Sequence, residues 1–488
     1  MYTISYMATL DELQEIRLSK LKKIKELGVN PYAARSKKDY VNLEIKNGFS
    51  TLESKEVFVS GRIVSIRNHG KISFFDIEDD SGTIQLFFSE KNTAQFSELE
   101  LFDLGDFIEA FGVIFKTKSG EITIDVKSFK ILTKSLRPLP SEHFGMQDEE
   151  EKIRKRYVDL ISNKDLKEKL RLKSKFIQSC RNFMISRGFL EVDTPTLELV
   201  LGGAEAEPFI THHNSLDQDL YLRIALELPL KRLIVAGFDK IFEIGKVFRN
   251  EGMSMQHLQE FNMIEFYWAY SDYEKLMDFT EEMYIYMLNE TFGTTKINYK
   301  GEEIDFKSPW PRKKYFDLMK EYGCDLEIFD TREKLRQKAI DIGLSDNSTD
   351  DKNRLIDRIY KKLVRPNIKG PIFLIDHPVD ISPLAKRHEN DSRIVERFQV
   401  LVLGFEVGNA FSELNDSQDQ YERFKEQQQL RDNGDKEAQM MDSDFIEALE
   451  YGMPPTGGFG VGLDRLFMIA ADLSNIRETE FFPIIKKI

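Results

Sequence analysis

Between Val57 and about Leu132 apolar and polar positions alternate in short runs, VFVSGRIVSI, KISFFDIED, TIQLFF, DFIEAFGVIF and EITIDV, broken by the turn signals HGK, DDSG and KSGE. Period-two alternation puts one face of each run against a core, and five short runs at this spacing predict a small closed β-barrel. LRPLPSEHFGMQDEEE then ends the pattern with two prolines and an acidic run, which is a linker signal. From Lys155 to Gly188 a helical period takes over, followed to the C-terminus by strands, longer helices and charged connections. No internal repeat or low-complexity tract interrupts the chain. The pattern predicts an α+β multidomain protein: a helical extension over 1–54, a barrel over 55–140, a linker over 141–154, and a large domain of strands and helices over 155–488.

At 488 residues the chain is too long for one ordinary core, which agrees with that division. A 41% hydrophobic and 31% charged composition is that of a soluble globular protein. No apolar run approaches the roughly 20 residues needed to cross a bilayer. The N-terminus lacks the basic start and apolar middle of a signal peptide, so a cytoplasmic protein with no membrane contact is expected. Cys180 and Cys324 have no metal-type spacing and read as buried apolar side chains in a reducing compartment. A net charge of −14 argues against wholesale non-specific binding to a polyanion and leaves room for local basic patches. The basic run IRLSKLKKIKELGVNPYAARSKK is a candidate for such a patch, with a solvated helix face as the favoured reading.

In the barrel, which has the strand count of the oligonucleotide-binding (OB) type, Arg67, Phe74, Gln85 and Phe87 fall on neighbouring strands and Glu121 on a later hairpin. Such a face either stacks and reads bases or, for each Phe, fills the core. The large domain carries FRNEGMSMQHLQEF, which joins two apolar runs. Arg249 offers a planar fork for phosphate oxygens, His257 an imidazole, and Phe261 a flat face for a purine; the alternative is a surface hairpin with an Arg–Glu salt bridge. In GGFGVGLDRLFMI, glycines precede a helix opened by Asp464 and Arg465, without the GK[ST] of a Walker loop. In GFEVGNAFSELND, strand alternation puts Glu406 on one face and Asn409, Phe411 and Glu413 on the other. These carboxylates can bind Mg²⁺ or hold a cationic group. Glu227 and Glu265 stand in apolar text, where an acid needs a partner, so the converging acids point to an ammonium pocket.

FLEVDTPTL, FRNEGMSMQHLQEF and GFGVGLDRL resemble motifs 1, 2 and 3 of the class II aminoacyl-tRNA synthetases, and the text around them, with GNAFSELND and DISPLAKR, is similar to the lysine-specific branch of that class. The resemblance runs from about Val57 to Pro483. It implies an OB-fold anticodon-binding domain, a class II catalytic domain with an antiparallel sheet flanked by helices, and a homodimer formed through motif 1 around Pro195. It also implies lysine activation with ATP and Mg²⁺ and lysyl transfer to the 3′ end of tRNA(Lys). By the same resemblance Arg249 holds the α-phosphate and carboxylate, Glu251 contacts adenine, His257 and Arg465 face the outer phosphates, and Phe261 stacks on adenine. Glu227, Glu265, Tyr267, Asn409, Phe411 and Glu413 fall on the lysine pocket, with Gly203 in the loop that closes over it, and Arg67, Phe74, Gln85 and Glu121 fall on anticodon-reading positions. Glu406 falls on a metal ligand, whereas Gln399 stands where the family usually shows a second acid, so a metal there should be bound more weakly. Rival readings are an aspartyl- or asparaginyl-tRNA synthetase, whose aspartate pocket would need cations; a lysyl-adenylate enzyme that modifies protein, whose relatives lack the barrel; and a non-catalytic tRNA-binding or regulatory relative.

Overall fold

The alternation of the first 140 residues is realised as a closed barrel of five strands, β1 (Glu56–His69), β2 (Ile72–Asp79), β3 (Gly82–Ser89), β4 (Phe107–Lys116) and β5 (Ile122–Thr133), in the order β1-β2-β3-β5-β4. All neighbours are antiparallel except β3 and β5, which run parallel. The structure is a computed structural model that describes residues 9–139, 148–346, 351–434 and 437–486. Every second side chain of β2 and β3 points inward, so Phe75, Ile77, Ile84, Leu86 and Phe88 fill the core and Phe74, Gln85 and Phe87 face out.

The helix Leu10–Glu26 begins at a capping box of Thr9 and Glu12, as its sequence favours. The basic run is not wholly a solvated face, however. Arg17 is buried and donates to the carbonyls of Leu104, Ser135 and Arg137, and Lys20 pairs with Asp103 at 2.7 Å. These cations satisfy carbonyls at the end of the barrel, a fixed use that a charge run in a sequence does not disclose.

The chain divides into two compact units, Met1–Asp148 and Glu149–Ile488. Of the linker expected over 141–154, residues 141–147 lie outside the described residues, and the acidic run opens the helix Glu149–Arg154. In the second unit the main sheet runs Arg312–Lys314, Ile372–Pro378, Asp391–Val402, Phe405–Ser412, Thr456–Gly462, Glu260–Ala269, Lys240–Phe248 and Leu190–Glu191. Only the two outermost pairings are parallel. One face is covered by the helices Lys164–Ser186, Tyr273–Phe292 and Leu463–Ala470, whose apolar sides meet Phe266, Phe398, Val400, Ala410 and Phe459 in the largest core. Burial on one face leaves the other to carry chemistry. Cys180 lies in this core and Cys324 in a smaller one, both fully buried and unpaired. No described helix is long and apolar enough to cross a membrane.

Strict alternation fails in the strand Phe405–Ser412, and this corrects the facing expected for Glu406. Gln399 is opposite Asn409 but Leu401 is opposite Glu406, so Val400 faces two residues, Val407 and Gly408, at a β-bulge. The extra residue shifts the parity. Val407 and Ala410, three apart, both join the core, and Glu406 borders the same cavity as Asn409, Phe411 and Glu413.

Candidate active site

The open face of the sheet bounds a cavity of about 730 Å³, and all fourteen large-domain residues expected to bind ATP, lysine or metal, Gly203 through Arg465, line it. The strands Lys240–Phe248 and Glu260–Ala269 form the hairpin that carries Arg249, closed by the Arg249 N–H donating to the Gln259 carbonyl at 2.8 Å. The Arg249 guanidinium lies 5.3 Å from the Phe261 ring centroid and donates to the Ile224 carbonyl, so its fork is held against an aromatic face rather than spent on a carboxylate. That arrangement differs from the Arg–Glu surface pair that the sequence left open. His257 Nδ1 is 2.8 Å from Ser254 Oγ. Burial, and then the charges of Arg465 and Arg249, hold its imidazole below the ordinary histidine value, so the ring is neutral at neutral pH.

Arg465 donates to the backbone carbonyls of Glu406 and Gln256, tying the helix Leu463–Ala470 to the bulged strand and the hairpin loop. Its neighbour Asp464 is fully buried, pairs with Lys173 at 2.6 Å and accepts the Asn262 N–H at 2.7 Å. The single acid of GFGVGLDRL is therefore a brace at the edge of the cavity, and the cation after it lines the cavity as well. Gln399 is nearly buried and its amide oxygen lies 3.5 Å from the Tyr360 hydroxyl.

The far end of the cavity is acidic. Glu227, Glu265 and Glu413 are 7%, 3% and 1% exposed. Glu265 accepts the Leu226 N–H at 2.8 Å and the Tyr267 hydroxyl at 3.0 Å. Burial, aided by the Glu227 charge, pushes its carboxyl up to about 8. Burial raises Glu227 and Glu413 as well. Glu413 fits because Gly458 on the neighbouring strand has no side chain: a Cβ there would overlap its carboxylate and come within 2.6 Å of the Tyr267 ring. Arg397 donates to Asn409 Oδ1 at 2.9 Å and orients that amide. Gly203, at φ +84°, brings its backbone against Glu227, where a Cβ would lie 2.9 Å from the Glu227 Cβ. Three buried acids at one end and arginines with an aromatic platform at the other suit a cationic side chain joined to a nucleotide phosphate.

Sequence reasoning missed three contributors. Lys231, fully buried, is 2.6 Å from Glu227 and also pairs with Glu413; its spacing four after Glu227 on a helix was the available signal. Arg397 stands two residues before Gln399 on one strand face and carried no motif. The helix Lys352–Leu363, inside a charged insert, contributes Arg354, Asp357, Tyr360 and Lys361 to the cavity wall.

On the barrel, Arg67 pairs with Asp76 at 2.6 Å beside Phe74, whose ring lies 5.2 Å from that of Phe87. Gln85 accepts the Thr123 hydroxyl at 2.9 Å, and Glu121 pairs with Lys46 at 3.4 Å. Of the Phe residues on β2 and β3, Phe75 and Phe88 lie in the barrel core, and Phe74 and Phe87 lie on the outer face.

Residues 148–486 match the family model described as tRNA synthetases class II (D, K and N), and residues 57–132 match that of the OB-fold nucleic acid binding domain. Proteins named lysine–tRNA ligase are similar over nearly the whole chain. That of Fervidobacterium nodosum is 46% identical over 98% of this chain and 94% of its own length, and that of Thermotoga maritima 48% identical over 98% and 96%. That of Moorella thermoacetica is 44% identical over 98% of each.

Proposed function

The chain belongs to the class II tRNA synthetases of the D, K and N group, and on that premise we propose that it catalyses lysine–tRNA ligation, activating L-lysine with ATP and passing the lysyl group to tRNA(Lys). The observation that carries the amino-acid choice is the acidic end of the cavity, where Glu227, Glu265 and Glu413 are buried together. Glu227 and Glu413 share the single ammonium of Lys231, so one negative charge remains, which an aspartate or asparagine side chain would leave uncompensated and an ammonium compensates.

No side chain in the cavity has to act as nucleophile. A lysine carboxylate oxygen attacks the α-phosphorus, the bond to the β,γ-diphosphate breaks, and pyrophosphate leaves with its electrons. The 3′-hydroxyl of the terminal ribose of tRNA then attacks the lysyl carbonyl, and AMP departs. The protein contributes position and charge: Arg249 holds the carboxylate and α-phosphate, Phe261 supports adenine with Glu251 at its edge, and His257 and Arg465 face the outer phosphates. A neutral His257 can donate a hydrogen bond there or gain a proton as phosphate charge arrives.

The described residues contain no group of three or more His, Cys, Asp or Glu placed to hold a metal. One carboxylate and one amide oxygen on the cavity wall do fit Mg²⁺ that arrives with nucleotide, because Mg²⁺ takes one or two protein carboxylates and completes its shell with phosphate and water. Glu406, with Gln399, would hold it, and when bound it neutralises phosphate charge.

The outer face of the barrel, with Arg67, Phe74, Gln85 and Glu121, is the anticodon-reading surface in this proposal. Two chains pair through the segment around Pro195, where Leu190, Leu197 and Leu199 are 51%, 46% and 60% exposed. The reaction is placed in the cytoplasm. Pyrophosphate exchange measured with each of the twenty amino acids tests the central proposal: lysine alone should support strong exchange, and comparable exchange with aspartate or asparagine would overturn it.

A further inference from the structure

Lys231 differs from every residue so far given a role, because it touches the amino-acid pocket without lining it. It follows Glu227 by four residues on the helix Glu227–Val235, which puts both on one face. Its ammonium is fully enclosed, 2.6 Å from Glu227 Oε1 and paired with Glu413 Oε2, with the rings of Phe411 and Phe445 at 5.4 and 5.8 Å. Glu227, Glu413 and Phe411 border the cavity and Lys231 does not, so it lies behind them. Enclosing an ammonium is expensive, and a position that only needed filling would carry an apolar side chain. The two acids that Lys231 joins come from different elements, a helix and the end of the bulged strand, and no other cation pairs with either among the described residues. Two carboxylates against one ammonium leave one negative charge, and Glu413 keeps an oxygen, Oε1, without a hydrogen-bond partner among the described residues.

With the lysine reading above as premise, we propose that Lys231 is a specificity-determining positioning residue, which cross-links Glu227 to Glu413 and cancels one of their charges so that the pocket is completed by a single substrate ammonium. It would do so through the two carboxylates, without contact with substrate. A pocket lacking it has two buried charges for one incoming cation, and its two walls are no longer tied.

The test is pyrophosphate exchange by the full chain with Lys231→Gln, Lys231→Met and Lys231→Arg. The wild-type protein comes first: failure to exchange with lysine removes the premise rather than the role of Lys231. Gln keeps two N–H donors for the carboxylates and so protects the fold, yet lacks the charge; Met matches the shape of the chain alone. Both should raise the KM for lysine about 100-fold, the scale of breaking a buried ion pair, while the KM for ATP stays within about twofold. Arg should restore the lysine KM to within about fivefold. A folded Lys231→Gln protein with the wild-type lysine KM would overturn the proposal. So would lysine and ATP KM values that rise together with a lowered melting temperature, or an Arg variant no better than Met, since each outcome assigns Lys231 to packing.

Discussion

Glu265 is held almost without solvent between a backbone N–H and a tyrosine hydroxyl, and its carboxyl is pushed by burial from the ordinary 4.5 to about 8. The folded chain therefore binds this proton more tightly than the unfolded chain does. The sign follows: the stability contributed by the protonated group is complete below about pH 4.5 and is lost as pH rises toward 8, with a slope of up to about 1.4 kcal/mol per pH unit. Without lysine, the melting temperature of the wild-type protein should fall between pH 5.5 and 8.5 more steeply than that of Glu265→Gln, and saturating lysine should flatten the difference. Equal slopes for the two proteins would place the titrating proton elsewhere. Gln399 makes a separate case, because its neutral amide lines the same cavity as Glu406. Gln399→Glu should lower the Mg²⁺ concentration for half-maximal exchange at saturating ATP and tighten Mn²⁺ binding followed by electron spin resonance; unchanged titrations would detach this position from the metal. Acids such as Glu227 and Glu265 could be read from sequence because a charge in apolar text demands an explanation. For Lys231 the spacing four after Glu227 was the one signal, and it did not set this lysine apart from a solvent-facing helix pair.

Elements were most legible where one period dominated the run. Five alternating runs gave the barrel its strand count, and the outward parity of Phe74 and Phe87 follows from alternation once Phe75 and Phe88 occupy the core. The strand Phe405–Ser412 was misread because a bulge adds one residue without a compositional mark, and the need for it appears only when Val400 is seen opposite Val407 and Gly408. Gly408 suits the position, since a Cβ there would come within 3.0 Å of both the Tyr284 hydroxyl and Val400. On the barrel, the outer setting of Phe74 sharpens its test. Phe74→Ala should cost about 1–3 kcal/mol of stacking in tRNA binding, reduce aminoacylation, and leave pyrophosphate exchange and melting temperature nearly unchanged. Loss of exchange or of stability in parallel would return Phe74 to a packing role.

For the molecule as a whole, the three motif stretches, far apart in the chain, meet because they occupy adjoining parts of one antiparallel sheet, and their order in the sequence was enough to name the fold class. The wall built by the helix Lys352–Leu363 was not legible, because its charged surface text gives no sign of the cavity it reaches. Exposed leucines around Pro195 lead to an expectation for assembly: sedimentation at micromolar concentration should show a symmetric dimer, and Leu197→Lys with Leu199→Lys should shift it to monomer with loss of exchange. A wild-type monomer with full activity would contradict this. The enclosure of both cysteines has a practical side as well. Burial pushes the Cys180 thiol up to about 12 and the Cys324 thiol up to about 11, so neither forms appreciable thiolate at neutral pH. A single cysteine introduced at an exposed barrel loop, such as Lys118→Cys in the turn between β4 and β5, should therefore accept a maleimide dye selectively in the otherwise unaltered chain, giving a fluorescent reporter of RNA arriving at the barrel while the native thiols stay silent.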